Sequence, residues 1–100
     1  MFLKVKKIER RGFIDDFGDH GKFWVCINDV SISVENINEI REGREMDFAY
    51  TILVMSNGSK IEIAHTNKDL DIALKEKNLD YLINNFDEKE WEKYKKRNSF

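Results

Sequence analysis

The chain is expected to fold as one α+β domain, a strongly bent antiparallel sheet or small open barrel of four to five strands followed by two or three short C-terminal helices. Three observations carry that expectation. Leu3 and Val5 alternate with Lys4 and Lys6, the period of a half-buried strand. Asn57-Gly58 stands between two β-rich runs, the strongest short-range hairpin signal there is. From Thr66 onward the apolar spacing becomes helical, behind residues suited to capping. A chain of 100 residues has room for a single core, so residues 1–100 read as one domain, mainly β over 1–66 and helical over 67–100.

The elements follow in order. Ile8 closes the first strand, and residues 11–21, with three glycines and three acids, read as a turn or extended loop. Over residues 22–27 every position but the first is apolar or Cys; Phe23, Val25 and Ile27 on one face and Trp24 and Cys26 on the other predict a strand covered on both sides, the best candidate for a central strand. A further extended segment begins near Val30 and Ile32. Ser33-Val34-Glu35-Asn36 reads as one helical turn with Ser33 as its cap, after which the chain re-extends through Ile37 and Ile40. Glu42-Gly43-Arg44-Glu45 is expected to turn, and residues 50–56 and 59–65 to pair across a type I′ turn at Asn57-Gly58. Thr66 and Asp69 form a capping box before Leu70, Ala73 and Leu74. After a break at Lys77-Asn78 come Leu79, Leu82, Ile83 and Phe86, and Asp87 with Glu90 caps a last helix carrying Trp91 and Tyr94.

Composition excludes several classes. Lys and Arg total 17 against 19 for Asp and Glu, and a net charge of −2 supplies no global field for nucleic acid. Cys26 is the single cysteine, so no disulfide framework and no CxxC metal cluster is expected, and a reducing, cytoplasmic setting is the natural reading. No stretch approaches the roughly 18 consecutive apolar residues of a membrane span, and charge interrupts residues 1–6 at once, so neither a cleaved signal nor a membrane anchor is expected.

Ser33-Val34-Glu35-Asn36-Ile37-Asn38-Glu39-Ile40 followed by Thr51-Ile52-Leu53-Val54-Met55-Ser56-Asn57-Gly58-Ser59-Lys60-Ile61-Glu62-Ile63 resembles the FlbD-type family of very small β proteins, over roughly residues 23–74. Members of that family occur with flagellar genes, and similar short proteins in bacteriophages and mobile elements. The resemblance implies a binding or accessory role and carries no catalytic residue. The basic first strand, the acidic loop and the helical tail depart from the family pattern.

Constellations with chemical potential each have a plainer reading. Asp15, Asp16, Asp19 and His20 lie close in sequence but match no calcium loop, and solubilising surface explains them better than a metal. His20 and His65 have neither nucleophile nor carboxylate at recognisable spacing, and Cys26 in a covered strand reads as a small buried hydrophobe, so no enzyme and no cofactor is expected. Lys4, Lys6, Lys7, Arg10 and Arg11, and again Lys93, Lys95, Lys96 and Arg97, form basic stripes that could meet phosphates; edge protection and the helix dipole account for them as well. Trp91, Tyr94 and Phe100 in a short terminal helix must bury themselves on their own sheet, on a second copy or on another protein, and self-packing is the default; Trp24 and Tyr50, if exposed, would mark the alternative.

The leading expectation is therefore a non-catalytic protein-interaction module acting by occupying a partner's surface, with Trp24, Tyr50, Trp91, Tyr94, Arg41 and Arg44 as candidate partner-binding residues. The partner is another protein, a host target or a second copy. A phage or mobile-element inhibitor of a host system, anti-CRISPR or otherwise anti-defence, is its natural specialisation. Ranked behind it are a homo-oligomeric binder of a small anionic or nucleotide-like ligand, using Arg41, Arg44, Lys60 or the N-terminal stripe, and a nucleic-acid-binding accessory protein.

Overall fold

The computed structural model describes the backbone of residues 1–13, 22–45 and 48–97, and the side chains of these apart from 11–13, 22–24, 96 and 97. The acidic-loop residues Asp15, Asp16, Asp19 and His20 lie outside that description. Strands β1 (Phe2–Phe13) and β2 (Lys22–Ser33) pair antiparallel without interruption, from Phe2 opposite Ser33 to Phe13 opposite Lys22. Two extended segments expected separately, at 22–27 and from Val30, are thus one strand. The polar pair Asn28-Asp29 between them stays in the ladder because it faces Lys7 and Lys6, with Lys6 Nζ 2.6 Å from the Asp29 carboxylate. Residues 11–13, expected in the loop, continue β1.

A 3-10 turn, Val34–Asn36, leads to β3 (Ile37–Glu45), β4 (Phe48–Met55) and β5 (Lys60–Ile63), and the sheet order is β2-β1-β5-β4-β3. All pairings are antiparallel and the sheet is open, with β2 and β3 at its edges. This corrects the expectation that residues 22–27 form a central strand. Continuous apolarity reports cover on a strand's faces, whereas its edges are satisfied by backbone, which composition does not register. Cys26 is half-buried rather than enclosed.

Two local expectations are also revised. Ser33 precedes the 3-10 turn but caps nothing; its hydroxyl donates to the Glu35 carboxylate at 3.1 Å. Glu42-Gly43-Arg44-Glu45 is strand, not turn: Gly43 lies opposite Tyr50 in β3, and a Cβ there would fall 2.3 Å from the Tyr50 ring. Glycine at 43 is room for that ring.

The Asn57-Gly58 hairpin forms, with a different turn. Gly58 N–H donates to the Met55 carbonyl (2.9 Å) and Met55 N–H to the Ser59 carbonyl (2.8 Å), with φ +86° at Gly58 and no positive φ at Asn57. That is a three-residue loop with glycine in the left-handed position, and the Asn57 side-chain oxygen accepts from the Ser59 N–H (2.9 Å) and hydroxyl (2.7 Å).

Helices α1 (Asn67–Glu76), α2 (Tyr81–Asn84) and α3 (Glu88–Arg97) follow. The Thr66 hydroxyl accepts from Asp69 N–H (3.2 Å) and the Asp87 carboxylate from Glu90 N–H (3.1 Å), so the expected N-terminal caps of α1 and α3 are present. Lys77 ends α1 at φ 52°, with Lys77 N–H bonded to Leu74 and Asn78 N–H to Ala73, the paired bonds of a left-handed helix stop.

The alternation of side chains sorts the interior into two halves on opposite faces of the sheet. Leu3, Val5, Ile32, Leu53, Met55 and Ile63 meet Leu70 and Ala73 of α1 and Leu82 of α2. Ile8, Val25, Phe48 and Ala64 meet Trp91 and Tyr94 of α3. The registers put Leu3, Val5, Ile63 and Leu53 on one face and Ile8, Val25 and Phe48 on the other. The helices therefore embrace the sheet from both sides rather than closing one side of it, and Phe86, packed against the second cluster, marks the crossing.

Candidate functional site

One of the two open ends of the sheet is formed by β3. Among the described residues nothing pairs with its outer backbone. Alternation puts Glu39, Arg41, Gly43 and Glu45 on the α3 face and Ile40, Glu42 and Arg44 on the other. Ile40 is 41% exposed, one of few large aliphatic side chains so placed. Protein edges are commonly blunted by proline, lysine or a bulge. Here an irregularity between Ile37 and Glu39 disturbs only the start, and from Glu39 to Glu45 the ladder with β4 is regular. The charges alternate in sign and pair along the strand, Arg41 with Glu39 at 2.9 Å and Arg44 with Glu42 at 3.5 Å, both exposed. The Arg41 hydrogen bond draws the Glu39 carboxyl below its usual range.

The far end of β3 is held by a network reaching across four elements. Glu45 accepts from the Arg10 guanidinium (2.8 Å) and the Tyr94 hydroxyl (2.5 Å) on one oxygen, and Arg10 also donates to Tyr94 (2.9 Å). Arg10 forms a second ion pair with Glu62 and lies 5.6 Å from the centre of the Tyr50 ring that covers Gly43. Burial, then the hydrogen bond to Glu45, lifts the Tyr94 phenol well above its ordinary range, and the bonds from Tyr94 and Arg10 hold Glu45 below the carboxylate range. Burial is the largest single influence and opposes the Arg10 charge, yet the Glu45 hydrogen bond together with the Tyr94, Glu45 and Tyr50 charges outweighs it, and the guanidinium stays more basic than usual. A tyrosine that stays protonated and a carboxylate that stays ionised make a fixed anchor rather than a proton-transfer pair.

His65 is 6% exposed, and its Nε2 accepts from the Lys6 backbone N–H at 2.9 Å. Burial, then the Lys6 charge, lowers its pKa to about 4. The imidazole does the work of a strand partner. β5 is only four residues long, so β1 completes its inner edge with Ile63 opposite Lys7, Ala64 N–H donating to Lys6 (2.8 Å), the His65 ring, and Lys4 N–H donating to Leu79 (3.1 Å).

Of the candidate partner-binding residues, Arg41 and Arg44 lie exposed on the β3 edge and Tyr50 is half-buried beside them. Trp91 and Tyr94, named among the partner-binding candidates, pack at home as the default reading had it: they are 8% and 0% exposed, and each packs on Phe48, at 5.5 and 4.9 Å between ring centres. The sheet offers them a socket on the face that α1 and α2 leave bare. The Trp24 side chain lies outside the described residues. In the first basic stripe Lys4 pairs with Asp80, Lys6 with Asp29, Lys7 with Glu9 and Arg10 with Glu45 and Glu62, and in the second Lys93 pairs with Glu90 and Lys95 with Glu92. β1 is interior, so its lysines do not guard an edge. Among the described residues no three His, Cys, Asp or Glu side chains are grouped to hold a metal, and no helix is long and apolar enough to cross a membrane. The network of Arg10, Glu45, Glu62 and Tyr94 escaped sequence reading because its members are up to 84 positions apart and none stands in a motif.

Fold and edge together define the class, a small α+β protein with an open five-stranded antiparallel sheet, embraced by short helices and exposing a regular terminal strand. Comparison with protein-family models, curated proteins and solved structures returns no match.

Proposed function

We propose that the chain is a non-catalytic protein-interaction module whose docking surface is the β3 edge, where a partner adds a strand. The observation that carries this reading is a nine-residue strand that ends the sheet with an outer backbone paired by none of the described residues, exposes Ile40, and is tethered at Glu45 to Arg10 and Tyr94. Strand addition draws affinity from main-chain hydrogen bonds and selectivity from alternate side chains. A strand tethered in this way loses little freedom on binding, so more of the contact energy appears as affinity. Arg41, Arg44 and Tyr50 belong to this edge; opposite Ile40 the partner presents an apolar residue, and opposite Arg41 and Arg44 carboxylates. The resemblance to FlbD-type proteins implies a role of the same kind. An inhibitor of a host system, anti-defence included, would act in this way, by covering a surface.

A photoreactive amino acid at position 40 tests the proposal. We expect it to give a protein adduct in the source cell, and Ile40→Lys, or a proline at a β3 position other than Gly43 whose backbone N–H points away from β4, to abolish binding while leaving the fold intact. Adducts that arise equally from probes on the outer surface of α3, or binding that survives the edge substitutions, would refute the edge as the docking surface.

A further inference from the structure

The charge order of β3 identifies one occupant of that edge. We propose that a second copy of the chain adds to it, β3 against β3 antiparallel about a two-fold axis at Gly43, giving a continuous ten-stranded sheet. The inference rests on the reading of β3 as a docking edge and names the partner.

Symmetry restricts the possible registers. A two-fold axis relating antiparallel edge strands in one sheet runs perpendicular to the sheet, so it keeps each side chain on its own face. Every residue must then oppose one of the same face, which puts a residue, not a peptide bond, on the axis. Within the regular stretch from Glu39 to Glu45 the choices can be enumerated, and an axis at either end sets a glutamate against its copy. An axis at Arg41 or Arg44 sets two guanidinium groups against each other. An axis at Glu42 sets Glu42 against its copy and Glu39 against the copy's Glu45. An axis at Ile40 pairs Glu39 with Arg41 but draws the irregular backbone between Ile37 and Glu39 into the ladder. An axis at Gly43 opposes Glu42 to Arg44 and Arg41 to Glu45, each twice, so that over residues 41–45 no like charges face. Reversed end to end, Arg-Glu-Gly-Arg-Glu meets every charge with its opposite.

The axis residue suits the position. Gly43 has no side chain to clash with its copy, and the Tyr50 ring occupies the space its Cβ would fill, so the two Tyr50 rings flank the axis on one face. The pairs that Arg41 and Arg44 now make along their own strand, with Glu39 and Glu42, are exposed and exchange readily for pairs across the strands. Glu45 accepts Arg10 and Tyr94 on a single oxygen, and a carboxylate has sites for a further donor. Arg41, Arg44 and Tyr50 thereby share one interface. Its length puts it at the small end of specific interfaces, with a Kd on the order of micromolar.

The test is the mass of the full chain across a concentration series, by light scattering and native mass spectrometry, for the wild type, Glu42→Arg, Arg44→Glu and the double exchange. Both side chains are about as exposed as a strand allows, at 60% and 65%, so the variants are expected to fold, which circular dichroism checks. We expect a wild-type dimer, Kd raised roughly tenfold or more in each single variant, dimer regained in the double exchange, and a heterodimer when the two single variants are mixed. A wild type that stays monomeric through the high-micromolar range, or a dimer indifferent to these exchanges, would overturn self-pairing at Gly43. Position-40 adducts separate the two proposals: adducts of twice the chain mass support self-pairing, while adducts only with another polypeptide overturn it and leave the docking edge standing.

Discussion

His65 shows how one buried side chain sets a pH dependence for the whole fold. Its pKa is about 4 in the folded chain against 6.5 as a free side chain, because burial and the Lys6 charge disfavour the imidazolium and the ring accepts a backbone N–H. Between those values the unfolded chain binds a proton that the folded chain does not, so stability is full above about pH 6.5 and falls as pH drops toward 4, by about 3 kcal/mol. Urea unfolding at stepped pH should reveal that slope, and His65→Gln, which keeps an acceptor but cannot titrate, should flatten it. Lys77 poses the opposite case, a residue whose backbone is strained. It occupies the left-handed region at φ 52°, where a Cβ is unfavourable, and its side chain is exposed. Lys77→Gly should therefore raise stability by about 1 kcal/mol despite glycine's greater freedom in the unfolded chain, visible as a shift in the urea midpoint with unchanged m.

At the scale of elements, the edge strand β3 illustrates why a glycine between charges misleads. Glu42-Gly43-Arg44-Glu45 has the composition of a turn, yet Gly43 serves a neighbour: the Tyr50 ring, itself under Arg10, lies where a side chain would be. Gly43→Ala should displace that ring and cost about 1–3 kcal/mol, an effect thermal unfolding would measure and Tyr50→Ala in the same background should diminish. If Gly43→Ala leaves stability untouched, the ring has another place to go and the packing argument fails. The caps, by contrast, obey local rules. Thr66, Asn57, Gly58 and Asp87 bond within three positions of themselves, which is why their neighbourhoods were legible as helix starts and a hairpin.

For the whole molecule, the decisive feature is that the helices bury both faces of the sheet. α1 and α2 cover one cluster, and α3, after Phe86, carries Trp91 and Tyr94 to the other. The last helix is thus half of the core rather than an appendage. Trp91→Ala should cost about 3–5 kcal/mol, against a few tenths for Lys93→Ala on the exposed side of the same helix. Equal effects of the two in a denaturant titration would mean that α3 is not part of the cooperative unit. The β3 edge keeps its geometry because Arg10 and Tyr94 tie it to this second cluster, so loosening α3 should also weaken any binding at the edge.

The sequence by itself determined the class, an antiparallel sheet followed by two or three short helices, and placed the Asn57-Gly58 hairpin and the caps at Thr66 and Asp87. Those features depend on alternation, backbone freedom and hydrogen bonds within a few positions, which are local and leave a local pattern. The tertiary structure alone decided that β2 and β3 are edges, that Gly43 lies in a strand, that Trp91 and Tyr94 fill the face opposite α1 and α2, and that Arg10, Glu45, Glu62 and Tyr94 converge. Each depends on which strand lies beside which. Hydrophobic pattern encodes the faces an element buries, while backbone hydrogen bonds make its lateral neighbours, and nearly every residue carries the same backbone donor and acceptor whatever its side chain.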